Sequence, residues 1–171
     1  LAGDVRADRF SPYYGNGYYS NSFNGSTDYF TVPSNAAFQL GTGDFTIELW
    51  FMIVGAGDNR YQHIVQSRDG TNNGFLVQYD RTNGTIELTS DTGFTGALSA
   101  NSAVLDNTWY HFAATRSGSS VKIFLNGTQV GTTATSAQNL TASGPVYVSR
   151  RWVTDGALHY VNGYISNLRI L

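Results

Sequence analysis

Apolar and polar residues alternate along most of this chain with a period of two. In residues 44–53 (DFTIELWFMI), the odd positions from Phe45 to Ile53 are apolar, whereas the even positions include Thr46 and Glu48. Successive side chains of a β-strand point to opposite faces, so this pattern predicts a strand with one buried face. The same reasoning predicts strands at 74–79, 85–89, 109–116, 121–125 and 145–150. No window of twelve or more residues has helical periodicity, which predicts an all-β fold.

Tight turns are indicated between these segments. Asn-Gly occurs six times and Asp-Gly twice, and both dipeptides accept the positive φ angles that tight hairpins need. Residues 121–131 (VKIFLNGTQVG) predict a hairpin around Asn126-Gly127, and residues 82–89 predict one around Asn83-Gly84. The stretches 90–107 and 132–144 lack a clear pattern and are predicted to be long surface loops, where binding sites often lie.

Composition narrows the class of protein. The 171 residues suit one domain, and 41% hydrophobic residues supply a core. Charged residues make up only 13%, the net charge is −2 and Lys122 is the sole lysine, so nucleic acid is not an expected partner. The chain has no cysteine, which excludes disulfides and thiolate metal sites.

Membrane insertion and a secretion signal were both sought in the sequence. The longest apolar run, residues 49–57, is too short to span a bilayer, so no membrane insertion is expected. The first ten residues lack a signal-peptide pattern. The chain stops abruptly on an apolar strand at Leu171, and we expect a domain cut from something longer.

The chain divides into a lead-in arm at residues 1–17 and one domain at 18–171. Residues 10–19 (FSPYYGNGYY), which span the end of the arm, contain four tyrosines, which is unusual for a free tail. Such a segment could add a strand to a neighbouring subunit or wrap around it. It could equally complete the sheet of its own domain, and the sequence leaves both alternatives open.

Four segments carry a resemblance to a known family. Residues 23–33 (FNGSTDYFTVP), 44–51, 107–131 and 161–170 (VNGYISNLRI) stand in order along the chain. Together they resemble, over about residues 18–170, a laminin G-like domain of the concanavalin A-like lectin/glucanase superfamily. This resemblance implies a two-sheet antiparallel jelly-roll β-sandwich.

The amino-acid sequences of these segments are also similar to those of jelly-roll domains in structural and tail-fibre proteins of marine bacteriophages. That similarity implies a location at the virion surface or outside the cell. It implies other virion subunits as partners, with a homo-oligomer as the expected assembly.

Catalysis by carboxylates is not expected. The glucanases of the resembled superfamily carry Glu, Asp and Glu at alternate positions of one strand, so that all three share a face. Glu48 and Glu87 are the only glutamates here, and neither has a carboxylate two residues away. The sequence therefore predicts that the chain is not an enzyme and that both glutamates face solvent on separate strands.

The three histidines do not have the spacing of metal ligands. His111 shares a strand face with Trp109 and Ala113 and is predicted to be a half-buried strand residue. His63 and His159 are predicted to flank loops.

Calcium is a separate question. Relatives in the resembled family often carry a structural Ca²⁺ that ties the first hairpin to the last strand through aspartates. Asn24 and Ser166 stand at those positions here, and neutral oxygens weaken such a site. No cofactor is predicted, although Asp28 or Asp44 could serve a displaced Ca²⁺. The alternative for both aspartates is that they cap turns.

A glycan site needs an aromatic platform beside amides, carboxylates or arginines. Counting strand reversals, loops near 68–73, 91–106, 126–127 and 151–158 are predicted to gather at one end of the sandwich. The glycan-binding residues predicted there are Arg68, Asp69, Asn72, Asn73, Asp91, Trp152, Asp155 and His159. Trp152 could instead pack against a neighbouring subunit or a loop. The second choice is the other end, at Asp58, Asn59, Arg60 and Tyr61.

The sequence leaves three functions open for this protein. The first is a non-enzymatic virion module in a phage fibre, tail or capsid surface, which binds host-surface carbohydrate or takes part in assembly. The second is a secreted bacterial lectin or adhesin module. The third, least favoured, is a glycoside hydrolase.

Overall fold

Two antiparallel β-sheets pack face to face in the computed structural model of the chain. The structure describes residues 2–13, 17–55, 60–69, 73–90, 95–98, 100–101, 103–151 and 159–171, with 95–98 described as backbone. The two-sheet antiparallel β-sandwich expected from the sequence is confirmed. In the described part of the chain, no helix is long and apolar enough to cross a membrane.

The larger sheet has seven strands in the order β1-β2-β13-β4-β9-β10-β11. The first and last long strands are neighbours in it, because β13 pairs with both β2 and β4. Its strands are β1 (Arg6–Asp8), β2 (Ser20–Asn24), β4 (Phe45–Ile53), β9 (Tyr110–Ser117), β10 (Ser120–Leu125), β11 (Thr128–Thr135) and β13 (Asn162–Ile170).

The smaller sheet has six strands in the order β3-β12-β5-β6-β7-β8. Adjacent strands of the central hairpins pair in regular antiparallel register, for example Gln78 with Glu87. Its strands are β3 (Phe30–Val32), β5 (Tyr61–Gln66), β6 (Phe75–Asp80), β7 (Thr85–Ser90), β8 (Thr95–Leu98) and β12 (Val146–Val148). A single turn of 3₁₀ helix, Ala36–Phe38, follows β3.

The core fills the space between the sheets. The odd-numbered side chains of β4 are buried, as the alternation predicts. Phe51, Phe75 and Phe112 are among the largest fully buried side chains. Arg116 is a buried cation at the edge of this core, where it donates hydrogen bonds to backbone carbonyls. Burial of the apolar faces is the main favourable contribution to the stability of such a sandwich.

Three strands lie where the sequence predicted loops or no element. β11 continues to Thr135, inside the predicted loop 132–144, and β8 lies inside the predicted loop 90–107. β11 is the outer strand of its sheet and most of its residues are exposed, so its sequence lacks apolar alternation. β5 escaped prediction because a bulge between His63 and Val65 breaks its period of two.

The arm adds a strand to its own domain. β1 pairs with β2 at the edge of the seven-stranded sheet, with Ala7 opposite Asn21. A bridge between Ala2 and Tyr29 holds the chain ahead of β1. Of the two alternatives for the arm, the structure therefore shows the one in which it completes the domain's own sheet.

Candidate functional site

The predicted glycan loops do not gather at one end of the sandwich. Asn73 Nδ2 donates to Gln138 Oε1 (3.1 Å) and to the carbonyl of Asn139 (3.2 Å), so the loop after β5 meets the segment before β12. Asp69 lies at the same end, beside Gly144. The Asn126-Gly127 turn lies at the opposite end, where Asn126 Oδ1 accepts a bond from the amide of His111, next to the first residue of β9.

The missed strand β8 explains this correction. Each strand reverses the chain once, so one uncounted strand moves every later turn to the other end. β8 lies between the loop after β5 and the turn at residues 126–127. Of the eight predicted residues, Asn72, Asp91, Trp152 and Asp155 lie outside the described residues. Their predicted role, and that of the other four, stays a prediction.

A row of polar side chains crosses the outer face of the six-stranded sheet. His63 of β5 pairs with Gln78 of β6, which pairs with Glu87 of β7. The flanking residues Val77 and Ile86 belong to the core, so the row points away from it. The side-chain amide of Gln78 donates to Glu87 Oε1, and the side chains of His63 and Gln78 are also hydrogen-bonded.

His159 joins this row from the other side of β5. Its ring stacks on that of His63, with centroids 5.0 Å apart and an interplanar angle of 16°. The backbone amide of His63 donates to the carbonyl of His159 (2.9 Å), which fixes the stack. Tyr61 meets His159 edge to face at 6.0 Å, and Arg151 Nη1 lies 3.2 Å from His159 Nε2.

Burial keeps His63 neutral. The residue is only 4% exposed, and this burial, followed by His159, Arg151 and Arg68, lowers the pKa of His63 well below its usual range. Its Nδ1 is buried without a hydrogen-bond partner. An unpaired nitrogen of this kind is unusual, because buried polar atoms normally have a hydrogen-bond partner.

The row continues toward β12. Gln66 Nε2 donates to the carbonyl of Arg150 (2.9 Å). The guanidinium of Arg150 lies 4.4 Å from the ring centre of Tyr29 and 5.8 Å from that of Tyr147. We call the assembled surface the histidine face and define it by His63, Gln66, Gln78, Glu87, Arg151 and His159.

Two of the predicted glycan-binding residues lie at or near this surface. His159 was a predicted site residue, and Arg68 lies near enough to His63 to lower its pKa. His63 was predicted to flank a loop, and that prediction is wrong because His63 lies inside β5. The signal that could have found β5 is its β-branched pair Ile64-Val65, which a single bulge shifts out of the period of two.

The second-choice end carries an ion pair. Arg60 donates to both carboxylate oxygens of Asp80, at 3.2 and 2.9 Å. Its hydrogen bond to Asp80 lowers the pKa of that carboxyl, and its guanidinium lies 4.7 Å from the ring centre of Tyr61. Asp58 and Asn59 lie outside the described residues.

The two glutamates cannot act together. Glu48 of β4 lies on the seven-stranded sheet, where its carboxylate contacts Arg169 (2.7 Å) and His111 (3.4 Å). Glu87 lies on the six-stranded sheet and accepts from Gln78. A pair of carboxylates for glycoside hydrolysis must flank one bond, and these two glutamates lie on different sheets.

Asp28 and Asp44 cap turns. Asp28 accepts the amides of Asp4 (2.8 Å) and Asn24 (3.1 Å), one on each carboxylate oxygen. Asp44 Oδ1 accepts the amide of Gly118 (2.7 Å). The described residues contain no group of three side chains suited to a metal ion. These amide hydrogen bonds are those of turn-capping aspartates, the alternative that the sequence left open.

A bond between neutral groups stands where the family's calcium tie was expected. Ser166 Oγ donates to the carbonyl of Tyr19 (3.0 Å), which joins the last strand to the residue before β2. Asn24 Oδ1 accepts the amides of Ser26 and Thr27, both at 2.9 Å. These hydrogen bonds join the last strand to the start of β2 and close the turn of the first hairpin.

A family model accounts for most of the chain. The Laminin_G_3 model, described as the concanavalin A-like lectin/glucanases superfamily, matches residues 24–171. The chain therefore belongs to this superfamily, and the resemblance drawn from its sequence segments is confirmed at that level. Among curated proteins, none matches the sequence significantly.

Several solved structures share the fold. Domain 4 of AbnA, an extracellular GH43 arabinanase from Geobacillus stearothermophilus solved with arabinotriose, superposes with a TM-score of 0.71 at 16% identity, covering 98% of this chain and 75% of that one. The carbohydrate-binding module CBM66 from Bacillus subtilis gives 0.55 at 14% identity, covering 99% and 93%. Mouse laminin α1 domains LG4-5 give 0.60 at 15% identity, covering 91% and 47%.

Proposed function

We propose that this domain is a non-enzymatic carbohydrate-binding module and that the histidine face contacts the sugar. The observation that carries the proposal is the row from His63 to Glu87, in which amide, carboxylate and imidazole groups lie side by side. Sugars are bound by such hydrogen-bonding groups next to aromatic rings. His159 and Tyr61 supply the rings at this face.

The chemistry of the face suits hydroxyl groups. The amide of Gln78, the carboxylate of Glu87 and the imidazole of His159 combine donors with acceptors, as a sugar hydroxyl does. His63 and Gln66 are 4% and 1% exposed, so they support the row rather than contact a ligand. The similarity to a domain of an arabinanase solved with arabinotriose, and to a carbohydrate-binding module, supports this class of ligand.

Separation of the glutamates supports a binding role rather than hydrolysis. Glu48 and Glu87 belong to different sheets, and each is held by partners of its own. Binding alone requires only complementary contacts in the ground state, whereas catalysis requires groups placed at the reacting bond. Release of reducing sugar from a bound polysaccharide would contradict this assignment.

We further propose that the module works at a virion surface or outside the cell, with host-surface carbohydrate and neighbouring subunits as partners. The low share of charged residues and the similarity of the end segments to phage structural proteins support this setting. Mass spectrometry of purified phage particles that encode the chain would find it among the structural proteins.

The binding site is tested with variants of the histidine face. The protein is screened on a broad glycan array, and the bound glycans are then titrated by calorimetry. We expect His159→Ala and Gln78→Ala each to weaken Kd by about tenfold, because each removes a contact worth about 1–1.5 kcal/mol.

Lys122→Ala is the matched control, since Lys122 lies on β10 of the other sheet. It should leave Kd unchanged. Equal Kd values for the control and both histidine-face variants would place the sugar elsewhere. An array with no bound glycan would contradict the proposed function itself.

A further inference from the structure

The N-terminal arm folds back across the outer face of the seven-stranded sheet. After β1, Asp8 Oδ1 accepts the amide of Phe10 (2.9 Å), which turns the chain. The Ser20 hydroxyl donates to the carbonyl of Phe10 and anchors the turn beside β2. The ring of Phe10 then meets Tyr164 edge to face at 5.1 Å and Trp109 at 5.9 Å.

A second group of rings lies over β4. The ring centroid of Tyr13 lies 5.7 Å from that of Trp50, in an edge-to-face arrangement. It lies 5.2 Å from the ring centroid of Tyr18, in a tilted arrangement. Met52, which also points outward on β4, is only 3% exposed. The arm and the sheet thus share one surface, which we call the arm platform and define by Phe10, Tyr13, Tyr18, Trp50, Trp109 and Tyr164.

Three rings of this platform remain open to solvent. Phe10 is 48% exposed, Tyr13 37% and Tyr18 51%. Large apolar groups that lie together in water indicate an interaction surface rather than a packed core. The exposed members are all aromatic, which is the composition that stacks on the C–H faces of sugar rings.

Polar groups border the platform. The carboxylate of Glu48 bridges Arg169 (2.7 Å) and His111 (3.4 Å), and the ring of His111 lies 5.2 Å from that of Trp50. The negative charge of Glu48 is therefore already balanced by its neighbours. The groups at this border can form hydrogen bonds with hydroxyls. Because Glu48 is paired, they do not present its charge to an ionic ligand, and this favours an uncharged partner.

We propose that the arm platform is a second carbohydrate-binding site, for uncharged oligosaccharides. Phe10, Tyr13 and Tyr18 precede residue 24, where the family match begins. The site is thus built partly from residues outside the family domain. It lies on the opposite sheet from the histidine face, so each of the two proposed sites can be tested independently of the other.

The test titrates the whole chain with cellohexaose, mannohexaose, xylohexaose and arabinohexaose, each to about 10 mM, which reaches millimolar affinities. Binding is followed by two-dimensional NMR and by tryptophan fluorescence. At least one sugar should shift the resonances of Trp50, Trp109 and the arm. Tyr18→Ala and Phe10→Ala should each weaken that binding by about fivefold, as expected for loss of one stacked ring.

Val32→Ala is the control, because Val32 is also exposed but lies on β3 of the other sheet. It should bind as the unchanged chain does, and thermal melting verifies that every variant is folded. His159→Ala, which disturbs only the histidine face, should leave the arm-platform shifts intact. If sugar shifts map only to the histidine face, the arm proposal fails and the proposed function survives.

Two further outcomes would overturn the proposal. One is that no hexasaccharide moves the arm or tryptophan signals. The other is that the chain self-associates in sedimentation and that Tyr18→Ala abolishes the association without any sugar binding at the platform. The second result would identify the platform as an interface between copies of this chain.

Discussion

Arg116 shows how a single residue can hold two parts of this sandwich together. It is 3% exposed, and its guanidinium donates to the carbonyls of Gly43, Gly41 and Gln138, each at 2.7 Å. These carbonyls belong to the segment before β4 and the segment before β12. Burial lowers the pKa of Arg116, yet the side chain stays charged, because an arginine titrates far above neutral pH.

Arg116→Met should therefore destabilise the fold. It leaves several buried carbonyls without a donor, and we expect the free energy of unfolding to fall by about 3 kcal/mol. Denaturant titration followed by fluorescence measures the change. Arg169→Met is the matched control, since the side chain of Arg169 is 64% exposed where it pairs with Glu48, and its loss should cost less than about 1 kcal/mol. Similar losses for both variants would refute the role of Arg116.

Residue type alone did not reveal such roles. The sequence correctly indicated that His111 is a half-buried strand residue, because local alternation decides which face it occupies. His63 was misplaced because its environment depends on a bulge and on His159, which is distant in sequence. The sequence left two roles open for Asp28 and Asp44, which were binding of a displaced Ca²⁺ and turn capping. The backbone amides that they accept identify them as turn caps.

At the scale of elements, β13 is the strand on which the larger sheet depends. It pairs with β2 on one side and β4 on the other. Gly163 of β13 pairs with Ile53 of β4. Its φ is 154°, and a Cβ there would come 2.0 Å from the carbonyl oxygen of Met52. Only glycine permits this spacing between the two backbones.

Gly163→Ala should therefore disrupt the centre of the seven-stranded sheet. We expect a loss of about 2–4 kcal/mol in the free energy of unfolding, because the backbones must move apart. Thermal and urea denaturation report the loss. Gly43→Ala provides the comparison, since its Cβ would meet nothing nearer than 3.8 Å and its φ is not in the left-handed region. A Gly163→Ala protein as stable as Gly43→Ala would show that this contact is unimportant.

The prediction of strands was most accurate where the sequence indicated both strands of a hairpin and the turn between them. The hairpin around Asn126-Gly127 is present, with Leu125 opposite Thr128 and Asn126 at a φ of 50°. The strands that escaped prediction, β5 and β8, are bulged or short, and the mostly exposed end of β11 beyond Gly131 was predicted as a loop. Such strands are defined by their partners rather than by their own hydrophobic pattern.

At the scale of the whole molecule, stability should depend on pH through His63. Its folded pKa lies well below 6.5 because of burial. Below pH 6.5 the unfolded chain binds a proton that the folded chain resists, so stability should fall as pH decreases through this window. The fall ends only below the depressed pKa of the folded state. Above pH 6.5 both states are neutral at this residue, and its contribution is constant.

Urea denaturation at about pH 7.5, 6.5, 5.5 and 4.5 measures this dependence, which approaches 1.4 kcal/mol per pH unit for one proton. His63→Gln should flatten the slope between the two middle points. His111→Gln, on the other sheet, should retain it. An unchanged slope in His63→Gln would show that another group controls the acid sensitivity.

The sequence by itself determined the all-β class, the buried face of β4, the main hairpin turn and the separation of the two glutamates, since each depends on residues close along the chain. It also pointed to the tyrosine-rich arm and to His159. Only the tertiary structure decided which loops share an end of the sandwich. One short strand, β8, reverses the chain direction once more and so places every later turn at the opposite end. The tertiary structure also decided that His63 stacks on His159 and that the arm covers Trp50 and Trp109. These contacts join residues far apart in sequence, and packing of the two sheets, rather than local pattern, brings them together.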